Sequence, residues 1–241
     1  MFKIVLKKAL PGLVVGALSF NIAMADTTTD KIQQKLNEII PNAPAAQISA
    51  SPVEGLYQVI VGPNVIYMTA DTEFLFNGNL IKLATRENLT ESAKNAARKQ
   101  TLDAIPTESM IEFPAKGKTK ATITVFTDID CPYCKKFHKD VPKLNAEGIT
   151  VRYLAFPRSG VDTPSYQKMV SVWCADDRAK TMDQAKQGAN PASKNCANPV
   201  KDHMMQAQLF GINGTPTIIF EDGNMVPGYV PAEELIPALL Q

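Results

Sequence analysis

Cys131-Pro132-Tyr133-Cys134 is the run of residues best suited to chemistry, because it closely follows the apolar residues 121–126 and directly precedes a helix-like stretch at 135–147. A strand that ends in Cys-x-x-Cys and opens a helix puts the first sulfur among unpaired backbone N–H groups and the positive end of the helix dipole, where a thiolate is favoured. The second sulfur lies one turn inward. This spacing brings both sulfurs within bonding distance and leaves the first accessible to a foreign disulfide, so Cys131 is expected to attack and Cys134 to resolve. An ordinary thiol of pKa near 8.5 is only about 3% thiolate at pH 7, whereas such motifs reach roughly 3.5 to 7. A drop of about three units corresponds to about 4 kcal/mol in favour of the thiolate. It also makes Cys131 a good leaving group, so a disulfide formed there is readily reduced. Asp128 and Asp130 oppose the thiolate by like charge, and Lys135 and Lys136 assist it. Two plainer readings compete. His138 and His203 could complete a Cys2His2 zinc set, but the strand-to-helix context argues for redox chemistry and for no metal. A purely structural bridge is disfavoured because so short a loop is a poor long-range staple.

The rest of the chain bears on where such a dithiol works. Lys3, Lys7 and Lys8 precede an apolar stretch at 9–20, and Ala23-Met24-Ala25 supplies a small-x-small cleavage pattern. This reads as a secretory signal peptide over residues 1–25, its apolar part shorter than the roughly 20 residues that span a bilayer. No cysteine follows the cleavage site to carry a lipid. An exported chain lives where disulfides persist, so the second pair, Cys174 and Cys196, reads as a structural disulfide. Closing its loop of about 22 residues contributes roughly 3 kcal/mol. The alternative, that one of these two resolves Cys131, stays open at this level. Charge excludes little: 25 basic and 24 acidic residues become 22 and 24 once the three leader lysines are removed. No basic run marks a nucleic-acid surface, and the Lys116-Gly117-Lys118-Thr119-Lys120 patch reads as a solvated turn.

Around the dithiol the patterning divides the chain after the leader into three parts: 26–85, 86–105 and 106–241. In the first, residues 30–40 form a short amphipathic helix with Ile32, Leu36, Ile39 and Ile40 on one face. Strands follow at 55–61, 64–70 and 73–76, and Asn77-Gly78 turns into a fourth at 80–83. Such a unit has little core, which makes pairing with a second copy plausible. Residues 86–105 carry alanines and charges and read as an exposed linker helix. From Ile111 the order is strand, dithiol, helix, strand at 149–156, helical insertion at 164–209, strand at 217–220 and a closing helix at 233–240, which argues a mixed sheet covered on both faces. His138 and His203 read as surface or helix-face residues, and Trp173 and the nine methionines as packing.

Several segments together resemble the periplasmic thiol:disulfide interchange proteins of the DsbC and DsbG type, DsbC most closely. They are Thr127-Asp128-Ile129-Asp130-Cys131-Pro132-Tyr133-Cys134, Tyr153-Leu154-Ala155-Phe156-Pro157-Arg158, the run from Met169 through Trp173-Cys174 to Arg178, Gly214-Thr215-Pro216, and Val226-Pro227-Gly228-Tyr229. The resemblance implies an α+β fold: a small N-terminal α+β (cystatin-like) dimerisation domain, a linker helix, and a C-terminal thioredoxin-like domain with a helical insertion. It implies a V-shaped homodimer whose cleft binds misfolded disulfide-containing proteins. It further implies a cis Pro216 that sets the Thr215 backbone beside the dithiol to pair with substrate, and a membrane electron donor of the DsbD type. The intervening Pro132-Tyr133 follows the DsbG-like pattern, and Pro132 removes an N–H and fixes φ at the helix start. The expected function is a periplasmic disulfide isomerase and reductase without a cofactor. The alternatives are a DsbA-type oxidase, against which the N-terminal domain and Thr215 both speak, and a chaperone with secondary redox activity.

Overall fold

The structure is a computed structural model that describes residues 22–41 and 45–240. The signal-peptide reading therefore falls, up to residue 21, outside the described residues. Among those described, no helix is long and apolar enough to cross a membrane.

Helix α1 (Ile22–Ile39) starts eight residues before the expected start at residue 30. Its Ile32 and Leu36, one turn apart, pack on Val59 and Met68 of an antiparallel sheet. Ile39 and Ile40, expected on the same face, lie beyond this small cluster and are exposed. The sheet has the order β1 (Gln47–Ala50), β2 (Leu56–Val61), β3 (Asn64–Thr69), β4 (Leu75–Phe76). It has four strands, but not the four that patterning suggests. β1, with one large apolar residue in four, gives no strand signal. The segment expected at 80–83 does not return onto the meander: β5 (Ile81–Lys82) pairs with β6 (Glu87–Asn88) as a separate ribbon. Arg86 takes a left-handed φ of 59° in the connecting turn, and the Leu80 N–H donates to Thr90 Oγ1, which draws this segment toward the next helix.

That helix, α2 (Leu89–Asp103), is capped by the Asn88 side chain, which accepts from Glu91 N–H. It is docked where an exposed linker was expected. Thr90 Oγ1 bonds Tyr67 OH at 2.7 Å on one side, and Arg98, ion-paired with Glu91, donates to the Gly223 carbonyl at 2.9 Å on the other. Gly223 has φ 85°, and a Cβ there would lie 1.9 Å from the Asn95 carbonyl, so this close approach of turn to helix requires glycine.

The C-terminal sheet has the order β11 (Met225–Pro227), β10 (Thr217–Phe220), β8 (Ala121–Thr127), β9 (Ile149–Ala155), β7 (Ile111–Phe113). Only β8 and β9 run parallel, joined by the crossover helix α3 (Pro132–Ala146). Both strands are buried on two faces, which is why they read as continuous apolar runs. Successive residues nonetheless serve different cores. Ile123, Val125, Val151, Tyr153 and Ile218 face α3, α4 (Pro164–Trp173), α5 (Arg178–Lys186) and α7 (Ala232–Leu239). Phe126, Leu154 and Ile219 face α6 (Val200–Leu209) with Leu102 and Ile105. The insertion is thus α4, α5 and α6, with Cys174 disulfide-bonded to Cys196 between the first and last.

Candidate active site: a dithiol beneath a cis-proline loop

β8 ends at Thr127, three residues turn the chain, and Cys131 becomes the N-cap of α3 with Pro132 in the first turn, where a missing N–H costs nothing. Both cysteines are free thiols. The Thr215–Pro216 peptide is cis, and the Thr215 carbonyl accepts from Cys131 Sγ at 3.3 Å. Thr215, Pro216 and the dithiol are therefore one site. Cys131 is only 1% exposed, less open than the motif suggests, because the Thr215 carbonyl covers its sulfur, whereas Tyr133 stands 63% exposed beside it. Cys134 is fully buried and accepts from Asp128 N–H at 3.4 Å.

The two sulfurs sit in different electrostatic surroundings. Burial pushes the Cys131 thiol up, but the nearby Thr215, the Cys134 N–H and thiol and the Tyr133 N–H together bring it below its ordinary value. Thr215 Oγ1 is buried without a hydrogen-bond partner among the described residues, so it is available to a thiolate. Burial pushes the Cys134 thiol up, and there it stays above its ordinary value although the Lys186 ammonium, the Asp128 N–H, Thr215 and Thr127 oppose the shift. The arrangement suits a ready nucleophile at Cys131 and a protonated reserve at Cys134.

The surrounding charges depart from expectation. The Asp128 carboxylate serves the loop: it accepts from Asp130 N–H, Ser165 Oγ, Arg158 N–H and Arg158 Nε. Asp130 pairs with Lys168 at 2.9 Å. Lys136 lies 4.5 Å over the Tyr229 ring. Two cations face the dithiol: Arg158, held on the Asp128 carboxylate, and the buried Lys186, from the last turn of α5 and 4% exposed. No motif marks it. Its only trace in sequence is that Met182, Ala185 and Lys186 share one helical face, the other two apolar.

Both histidines are buried, contrary to the surface reading. His138 Nδ1 meets Tyr153 OH at 3.0 Å and Nε2 meets Asp183 Oδ1 at 2.9 Å. His203, 1% exposed, stands edge-on to Trp173, while its Nδ1 accepts from Ala155 N–H and its Nε2 meets Ser109 Oγ. Patterning misses them because each satisfies its polar atoms with partners on other elements. Neither touches a cysteine sulfur.

The setting of His203 predicts acid sensitivity. Burial holds its pKa down to about 4, against 6.5 for a free imidazole. As pH falls the unfolded chain takes up this proton first, so the stability present above about 6.5 drains away down to about 4, a loss of roughly 3 kcal/mol. Urea unfolding of the His203→Gln variant at neutral and acid pH should lack this part of the slope. An identical slope in both proteins would assign acid sensitivity elsewhere.

Comparison with known proteins agrees with this site. The family model described as a thioredoxin-like domain matches residues 106–241, and that of the disulfide bond isomerase protein N-terminal domain matches residues 23–91. The chain is 38% identical over 229 residues to the thiol:disulfide interchange protein DsbC of Dickeya dadantii, covering 94% of this chain and 92% of that one. It is 34% identical over 230 residues to DsbC of Escherichia coli K12, covering 95% and 94%. Among solved structures, a disulfide interchange protein from Neisseria gonorrhoeae aligns with a TM-score of 0.51 at 32% identity, covering 57% of this chain and 99% of that one.

Proposed function

The chain belongs to the DsbC family of thiol:disulfide interchange proteins, and on that footing we propose how its dithiol rearranges incorrect disulfides. The observation that carries the reading is the asymmetry of the pair: Cys131 held below and Cys134 above the ordinary thiol pKa, under the Thr215 carbonyl. Cys131 thiolate attacks one sulfur of a substrate disulfide; the Cys131–substrate bond forms and the other substrate sulfur leaves as thiolate. In isomerisation a substrate thiolate attacks a further substrate sulfur, and Cys131 is finally released. In reduction Cys134 attacks Cys131 Sγ, and the substrate leaves with both sulfurs reduced. The Thr215 main chain, presented by the cis peptide to Pro216, offers groups for pairing with the substrate, and exposed Tyr133 offers an apolar contact. Cys174 and Cys196 serve as the structural disulfide of the insertion.

Reactivation of a scrambled multi-disulfide enzyme in glutathione buffer tests this function. Recovery that depends on Cys131 is expected. Oxidation of a reduced substrate without recovery would instead favour a DsbA-type oxidase.

The same reading places the mature protein, cleaved after Ala25, in the periplasm, where misfolded disulfide-containing proteins are its substrates and a DsbD-type membrane donor keeps the dithiol reduced. It acts as a homodimer. Support comes from the N-terminal unit, whose core cluster is small, whose edge strand β4 carries exposed Leu75 and Phe76 next to Phe74, and which also exposes Ile81 and, at 88%, Leu83. Unpaired apolar edges of this kind need cover. A double Leu75→Asp, Phe76→Asp variant should weaken association by at least about 30-fold in sedimentation equilibrium, the effect of losing one interface hot spot. An unchanged dimer would move the interface elsewhere.

A further inference from the structure

Lys186 is a buried cation whose anionic partner is not evident from its direct contacts. Its Nζ donates to Thr127 Oγ1 and to the Asp128 carbonyl, both at 2.8 Å, and both acceptors are uncharged. A lysine removed from water is costly unless a negative charge answers it. The groups that face it can be taken in turn. The Asp128 carboxylate is occupied by Arg158, Ser165 and a loop N–H. Tyr153 from β9 presents its ring at 5.9 Å and is held protonated by burial. His138 on α3 is kept neutral by burial and by Lys186 itself, while Asp183 on the same helix as Lys186 bonds to His138. Lys135 on α3 repels. Besides the Asp128 carboxylate, which acts on Lys186 through space while it bonds Arg158, the anion within reach is the dithiol, one peptide away: the Asp128 residue whose carbonyl accepts from Lys186 donates its N–H to Cys134 Sγ.

We propose that Lys186 is a positioning residue of the exchange reaction, its buried ammonium serving as a counter-ion that Cys131 and Cys134 use in turn. In the reduced protein it faces the Cys131 thiolate together with Arg158. Once Cys131 is tied up in a mixed disulfide that negative charge is gone, and the same ammonium favours the Cys134 thiolate needed for resolution. Cys134 then attacks Cys131 Sγ; the Cys131–Cys134 bond forms and the Cys131–substrate bond breaks. Two electrons pass to the substrate sulfur, which takes up the proton that Cys134 gave up, and Lys186 stays protonated throughout. The shifts agree with this geometry: burial lowers Lys186 to about 8, and Cys134, then Asp128 and Cys131, pull it back up. The proposal rests on the thiol-exchange reading above and adds the group that makes the buried thiol reactive.

The test uses the full mature chain. In a Cys131→Ser background, thiolate absorbance should show Cys134 titrating about one unit or more higher with Lys186→Met than with Lys186 present, and Lys186→Arg should restore it. With Cys131 intact, Lys186→Met should resolve mixed disulfides about tenfold more slowly at neutral pH, the thiolate loss that one unit brings. A second measurement needs no variant. Coupling between two sites is reciprocal, so NMR resonances of the Lys186 methylene next to Nζ should titrate about one unit lower in oxidised than in reduced protein. Coincident Lys186 titrations in the two redox states, or an unmoved Cys134 titration in folded Lys186→Met, would overturn the proposal. A redox-dependent Lys186 titration in a protein that fails to reactivate scrambled enzyme would uphold the coupling and overturn the isomerase reading instead.

Discussion

Cys131→Ser reduces isomerase and reductase activity to the uncatalysed rate, a fall of at least about a thousandfold, because a serine hydroxyl cannot replace the thiolate as nucleophile or leaving group. Cys134→Ser behaves differently. It leaves the first attack intact and removes the resolving thiol, so Cys131–substrate adducts accumulate and appear as reducible bands on a non-reducing gel. Isomerisation that proceeds by return of a substrate thiolate survives in part, whereas net reduction is lost. This contrast follows from the geometry: Cys131 lies under the Thr215 carbonyl at the mouth of α3, and Cys134 is fully buried behind it. Equal loss in both single variants, without trapped adducts, would contradict the division of roles.

The second large effect concerns stability. Replacing Cys174 and Cys196 together by Ser should cost roughly 3 kcal/mol, the loop-closure contribution for their separation of 22 residues. For a chain of this size that is a fall in Tm of about 6–12 °C. The bridge ties the C-cap of α4 to the segment entering α6, and between them lies α5, which delivers Lys186 to the dithiol. Exchange per folded molecule at a temperature well below the transition should persist. An unshifted Tm with loss of mixed-disulfide resolution would instead make one of these cysteines the resolving thiol, the alternative that sequence leaves open.

What the sequence made legible has a physical pattern. β8, α3, β9 and β10 are strong local signals, with buried strands as apolar runs and Pro132 at a helix start, and the structure places each within a few residues of expectation. The dithiol was legible because its chemistry demands adjacent residues. Pairing in the N-terminal unit was not: β1 is four residues with one large apolar side chain, and residues 80–83 chose a partner beyond Arg86 that no local turn signal names. Lys186 escaped notice for a deeper reason. Its relation to the cysteines runs through a helix of the insertion, more than fifty positions away in the chain, and only the folded sheet brings them together. His138 and His203 escaped for the same reason, since their hydrogen-bond partners lie on other elements.

Thiol exchange of the proposed kind needs a reduced protein with one ready thiolate, Cys131, and one buried thiol in reserve, Cys134. Alkylation of the reduced protein with iodoacetamide across a pH series, with the modified residue located by peptide mass mapping, tests it directly. The account predicts that Cys131 is modified first, with a half-point below the ordinary thiol value of about 8.5, and that Cys134 is protected until the chain unfolds. Comparable rates at both cysteines, or a Cys131 half-point at or above that of a free thiol, would contradict it.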